Sequence, residues 1–94
     1  MATVMSMHWP EVSIAQYEQV RGDVKWETDV PRGAKFHVAW WANDGFHVID
    51  LWDSAGAFQH FVETRLTAAV QRAGITSEPK VELSEAHAIF APNV

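Results

Sequence analysis

Ninety-four residues, 48% of them hydrophobic and including five Trp and five Phe, fit one domain spanning 1–94 and carry more apolar area than a disordered chain would. Twelve acidic and seven basic residues give a formal net charge of −5, which offers no basic stripe for phosphates and excludes nucleic acid as an expected partner. The absence of cysteine excludes disulfides, thiolate nucleophiles and zinc–thiolate sites; no apolar run approaches the roughly 20 residues that span a bilayer, so no membrane partner and a cytoplasmic location are expected.

Thr3 to Trp9 reads as a short first strand closed by Pro10, which has no N–H to continue a ladder. Ser13 followed by Gln16 matches a capping box, with Val12 and Tyr17 placed for a hydrophobic staple, and predicts a first helix over 13–22 that ends near Gly22. Residues 25–33, with Trp26, Pro31 and Gly33 among charges, read as a loop. Ala34 to Ala42 and Phe46 to Asp53 are rich in aromatic and β-branched residues, and the NDG between them predicts a hairpin because Asn and Gly accept positive φ. From Ser54, a predicted N-cap, Phe58, Phe61, Val62, Leu66, Ala69, Val70 and Ala73 form one helical stripe that Gly74 ends. Lys80 to Phe90 alternates as a last strand before Pro92.

The order β-α-β-β-α-β predicts an α+β fold of the ferredoxin-like kind: a four-stranded antiparallel sheet with two helices on one face. An even hairpin loop near Asp44 puts His37, Ala39 and Trp41 on one face with Val48, Asp50 and Trp52, and Phe36, Val38, Trp40, Ile49 and Leu51 on the other. The second set is almost wholly apolar and is expected under the helices. The first is then expected on the bare face, where its two Trp predict a homodimer that buries this face and closes a small apolar cavity. An odd loop or a bulge would exchange the two sets.

Three segments carry a resemblance. DLWDSAGAFQHFVETRL resembles the strand-to-helix segment of dimeric α/β-barrel proteins, the antibiotic-biosynthesis-monooxygenase-like superfamily; YEQVRGDVKWETDVPRGAKFHVAW and VELSEAHAIFAP resemble small actinobacterial members of it. The resemblance implies a dimer of ferredoxin-like sandwiches, with a cavity in each subunit. It leaves the activity open among cofactor-independent monooxygenases of polycyclic aromatics, polyketide cyclases, haem-degrading enzymes, muconolactone-type isomerases and proteins with no known activity. Haem degraders place a proximal His on the helix after the strand Trp. The one His in that stretch is His60, and it falls opposite the Phe58/Val62/Leu66 stripe, so no haem is expected.

His37 and Asp50 are the expected catalytic pair. A carboxylate on one ring nitrogen would fix the tautomer and leave the other nitrogen as a general base; the alternative is a buried pair that fixes strand register. Trp41 and Trp52 are candidates for stacking on an aromatic ligand, as against interface core, and His87 is a candidate on the last strand. Tyr17 is either staple packing or a hydroxyl at the cavity mouth. Arg65 borders the helical stripe and is expected to pair with a surface carboxylate. His8 and His47 have no ligand at a metal-binding spacing, and neither metal nor cofactor is expected. The expected function is a cofactor-free monooxygenase, isomerase or cyclase of a small aromatic or polyketide-like compound, the alternative a non-catalytic ligand-binding or purely structural dimer.

Overall fold

A computed structural model describes all residues, 1–94. Strand β1 (Thr3–Trp9) is followed by helix α1 (Ile14–Val24), the hairpin β2 (Ala34–Ala42) and β3 (Gly45–Trp52), helices α2 (Ala55–Phe61) and α3 (Thr67–Arg72), and β4 (Lys80–Glu85). The strands form one antiparallel sheet in the order β2-β3-β1-β4, the ferredoxin-like arrangement.

Ser13 caps α1 through the reciprocal capping box: Gln16 N–H donates to Ser13 Oγ at 3.0 Å, and Ser13 N–H donates to Gln16 Oε1 at 3.0 Å. The helix does not stop at Gly22. It continues to Val24, which is buried, and ends where Lys25 turns left-handed at φ 56. Ser54 caps α2, accepting from Ala57 N–H at 3.1 Å. The predicted long helix is one rod interrupted by a π-helical turn, Val62–Leu66, whose wide bond runs from Thr67 N–H to Val62 O.

Ala42 pairs with Gly45 across a two-residue loop, so the predicted parity holds and His37 stands directly opposite Asp50. Asn43 and Asp44 do not take positive φ; Gly45 does, at φ 124, and a Cβ there would lie 2.4 Å from the carbonyl oxygen of Trp9. A bulge between Ala34 and Phe36 lies below the pair and does not move it.

The two faces, however, are exchanged relative to the expectation. Met5, Met7 and Trp9 of β1 share their face with Phe46, Val48, Asp50 and Trp52, and all seven are buried with Val20 and Val24 of α1 and Phe58 and Phe61 of α2. His37 and Asp50 therefore lie between the sheet and the helices. The bare face carries Phe36, Val38, Trp40, Ile49 and Leu51, together with Val4, Ser6 and His8. The reason lies in β1, which alternates Met5, Met7 and Trp9 with Ser6 and His8: its apolar phase must face the helices, and the register carries Asp50 with it. β4 ends at Glu85, so His87 lies beyond it in an exposed segment and not on a strand.

Candidate functional site

Four polar groups line up under the helices. Asp50 on β3 is 3% exposed and accepts from His37 Nδ1–H at 2.7 Å and from the indole N–H of Trp52 at 3.1 Å. A carboxylate only accepts, so the proton of the neutral ring sits on Nδ1 and Nε2 carries a lone pair. That nitrogen accepts from the hydroxyl of Tyr17 at 2.8 Å. The chain Tyr17–His37–Asp50–Trp52 joins α1, β2 and β3, and no buried side-chain nitrogen or oxygen lacks a partner.

The hydroxyl of Tyr17 is held protonated, its pKa raised first by burial, with the charge of Arg21 opposing and those of Glu18, Asp50 and Glu27 reinforcing. Trp26 packs its ring 4.9 Å from that of His37 and meets Trp52 and Phe61 edge-on at 5.6 and 5.7 Å. A cavity of about 90 Å³ opens onto these groups, lined mostly by apolar residues such as Met5, Val20, Val24 and Phe58, with Tyr17, His37, Asp50, Arg21 and Glu27 as its polar members. Arg21 and Glu27 are ion-paired, and this hydrogen bond holds the Glu27 carboxyl below its ordinary pKa. A larger groove of about 610 Å³ lies between the α2–α3 rod and β4, where Val81 and Leu83 stay exposed. Met7, Trp9, Phe58, Leu66, Val70 and Ile75 line both spaces and form the partition between them.

Of the candidate residues, His37, Asp50 and Tyr17 are brought together. Trp52 is wholly buried and touches the site through Asp50. Trp41 donates its indole N–H to Val12 O at 2.8 Å and packs edge-on against Tyr17, outside the cavity lining. His87 is exposed and does not line it. His60 is exposed, as the helical phase predicts. Arg65, on the π-helical turn, donates to Val24 O at 3.0 Å and to Asp29 O at 2.6 Å, tying the loop after α1 to the rod. Sequence reasoning missed Trp26, Arg21 and Glu27 at the site. They lie on α1 and the following loop, and nothing in local spacing relates them to β2.

A second cluster depends on the β1–β3 register, which brings His8 to Asp44 and His47, themselves three residues apart. His8 and His47 are opposite one another across β1 and β3, and Asp44 of the hairpin turn reaches both. His8 Nε2–H donates to Asp44 O at 2.7 Å and His47 Nε2–H to Asp44 Oδ1 at 2.7 Å. The hydrogen bond from His47 is the main cause of a lowered Asp44 pKa.

No known family profile matches the chain, and no curated protein does. Solved structures do. A variant of SnoaB, a cofactor-independent oxygenase from Streptomyces nogalater, aligns over 95% of each chain at TM-score 0.65 and 16% identity. A proposed antibiotic biosynthesis monooxygenase from Deinococcus radiodurans aligns over 97% of each at TM-score 0.60 and 16% identity. Rv0793 from Mycobacterium tuberculosis covers 96% of this chain and 98% of its own at TM-score 0.65 and 12% identity. The chain thus has the fold of the antibiotic-biosynthesis-monooxygenase-like proteins. No helix in it is long and apolar enough to cross a membrane.

Proposed function

We propose that the chain is a cofactor-free enzyme, a monooxygenase, isomerase or cyclase of a small aromatic or polyketide-like compound, with His37 as its general base. The observation that carries this reading is the chain of hydrogen bonds from buried Asp50 through half-buried His37 to half-buried Tyr17, which ends in an apolar cavity. All three reaction types can begin with removal of a proton from carbon or from a phenol. That proton goes to Nε2 of His37, either directly once Tyr17 turns aside, or by way of Tyr17, whose oxygen takes it while the hydroxyl proton passes to Nε2. The imidazolium is then paired with Asp50 in a site of low dielectric. Arg21 at the cavity wall is the nearest cation for the anion left on the substrate. In the oxygenase case that anion supplies the electrons itself: a CH₂ group and O₂ give C=O and H₂O, with no further reductant. The similarity in fold to a cofactor-independent oxygenase supports this reading.

The cavity is smaller than the ~300 Å³ usual for a ligand pocket. A substrate of more than one ring therefore needs the partition to open, with its body in the groove beside β4. The same small volume favours the second reading, a dimer that carries no reaction. Oxygen uptake and product analysis with hydroxylated one- and two-ring ketones, without added flavin or metal, separates the two. Turnover that falls about 100-fold or more in a folded His37→Ala variant supports the first; absence of turnover and of saturable ligand binding supports the second.

The bare sheet face supports a homodimer. Val38 and Trp40 are 39% and 40% exposed there, beside Phe36, Ile49 and Leu51. An apolar face of this extent is rarely left to water, and a second copy related by a two-fold axis would cover it.

A further inference from the structure

We propose that His8, His47 and Asp44 form a site for a divalent transition-metal ion of the Zn²⁺ or Cu²⁺ class, at the hairpin end of the bare sheet face. The proposal does not rest on the cavity or on its chemistry.

Two chain segments converge there, β1 with His8 and the β2–β3 hairpin with Asp44 and His47. Register places His8 opposite His47, and their rings stack at 4.7 Å with 19° between planes. Both rings bond to one residue, Asp44, which offers a carboxylate oxygen to His47 and its backbone carbonyl to His8. Its second carboxylate oxygen lies 3.8 Å from His8 Nε2. The ligand atoms of the three side chains all fall within 4.8 Å of one another. Tetrahedral Zn²⁺ with ligands at about 2.0–2.1 Å requires them about 3.3 Å apart, a shift of an ångström or so. The side chains have room for it: their exposures are 33% for His8, 23% for His47 and 64% for Asp44.

The donor set is imidazole, imidazole and carboxylate, with the remaining positions not filled by this chain. That composition selects ions of intermediate softness, in the order that peaks at Cu²⁺, over Mg²⁺ or Ca²⁺, which favour all-oxygen sites. In the metal-free protein each Nε2 carries the proton it donates to Asp44, so binding moves those protons to Nδ1 or to water. The cation opposite His8 on β4, Lys80, lies 3.7 Å from Glu82, which offsets its charge. Trp40 stacks on His47 at 5.1 Å and 10°, fixing that ring and placing an indole beside the ion. The bound ion would pin the hairpin tip to β1.

The test uses tag-free protein and the ions themselves. In calorimetric titration with ZnCl₂ the wild type is expected to saturate at one ion per chain, and to melt at higher temperature when the ion is present. His8→Gln and His47→Gln should each weaken binding at least about tenfold, since loss of a supporting group alone costs about 10- to 100-fold, and should lose the thermal shift. His60→Gln, an exposed histidine elsewhere, should leave both unchanged. Cu²⁺ should quench part of the Trp fluorescence, and Trp40→Phe should lose that part while still binding Zn²⁺ at full strength. The proposal is overturned if the wild type shows no saturation at one equivalent, or if the His8 and His47 variants titrate like the wild type. Both substitutions are at partly exposed positions, and circular dichroism of each checks the fold independently of the metal.

Discussion

Asp50 holds two donors that compete for any replacement. It accepts from His37 and from Trp52, whereas an Asn there has one acceptor oxygen and one NH₂. The oxygen would stay with the indole, which has no other tautomer, and the NH₂ would face Nδ1. Asp50→Asn should therefore switch His37 to the Nε2–H form, visible in long-range ¹H–¹⁵N spectra of its ring. With the lone pair gone from the cavity side, turnover should fall about 100-fold or more, with a stability loss of about 1–3 kcal/mol. If the ring keeps its Nδ1 proton in the variant, the carboxylate is not what orients it. Tyr17 gives a second test, because it is the single tyrosine in the chain and its phenolate absorbance titrates without interference. Its folded pKa is raised, so the midpoint should lie above the ordinary value of 10.0. A raised pKa contributes stability that is fully present below the unfolded value and is lost as pH rises through the folded one. Between those two values the wild type should lose stability that Tyr17→Phe does not lose.

At the scale of elements, the π-helical turn Val62–Leu66 is where the rod departs from regular geometry, and it presents Arg65 to two carbonyls of another segment. Such turns are uncommon and often positioned for function. Here the turn anchors the loop of residues 25–33, which carries Trp26 against His37 and Glu27 against Arg21. Arg65→Met keeps the aliphatic stem and removes the donors. The expected result is a loss of about 1–2 kcal/mol in denaturant unfolding and faster amide exchange confined to residues 25–33. Exchange unchanged in that loop would show that Trp26, packed on Trp52 and Phe61, holds it without help.

For the whole molecule the exchange of sheet faces changes which tryptophan tests assembly. Trp40 is on the bare face, whereas Trp41 is on the helix side and hydrogen-bonded to Val12. Sedimentation of the wild type at micromolar concentration should give twice the 10.6 kDa chain mass. Trp40→Glu should give a folded monomer, because the charge enters water in the monomer and is buried unpaired only in the dimer. A wild type that sediments as a monomer down the same range would remove the case for a covered bare face.

Local chemistry in the sequence determined the elements and the hairpin phase. Ser13 with Gln16, Ser54, and the turn before Gly45 are each read within a few residues, and strand alternation is strictly two-fold, so the shared face of His37 and Asp50 was legible from an even loop, while the two-residue register that sets them directly opposite came from the structure. Which face met the helices was not legible from β2 and β3, because each face of that hairpin carries several large apolar residues. The deciding pattern was on β1, where Met5, Met7 and Trp9 join Asp50 only through a pairing between strands some forty residues apart. The same holds for Tyr17 and Trp26 over His37, and for Asp44 between His8 and His47. These contacts exist because burial of one apolar face fixes register across the whole sheet, and register is a property of the assembled fold rather than of any stretch of chain.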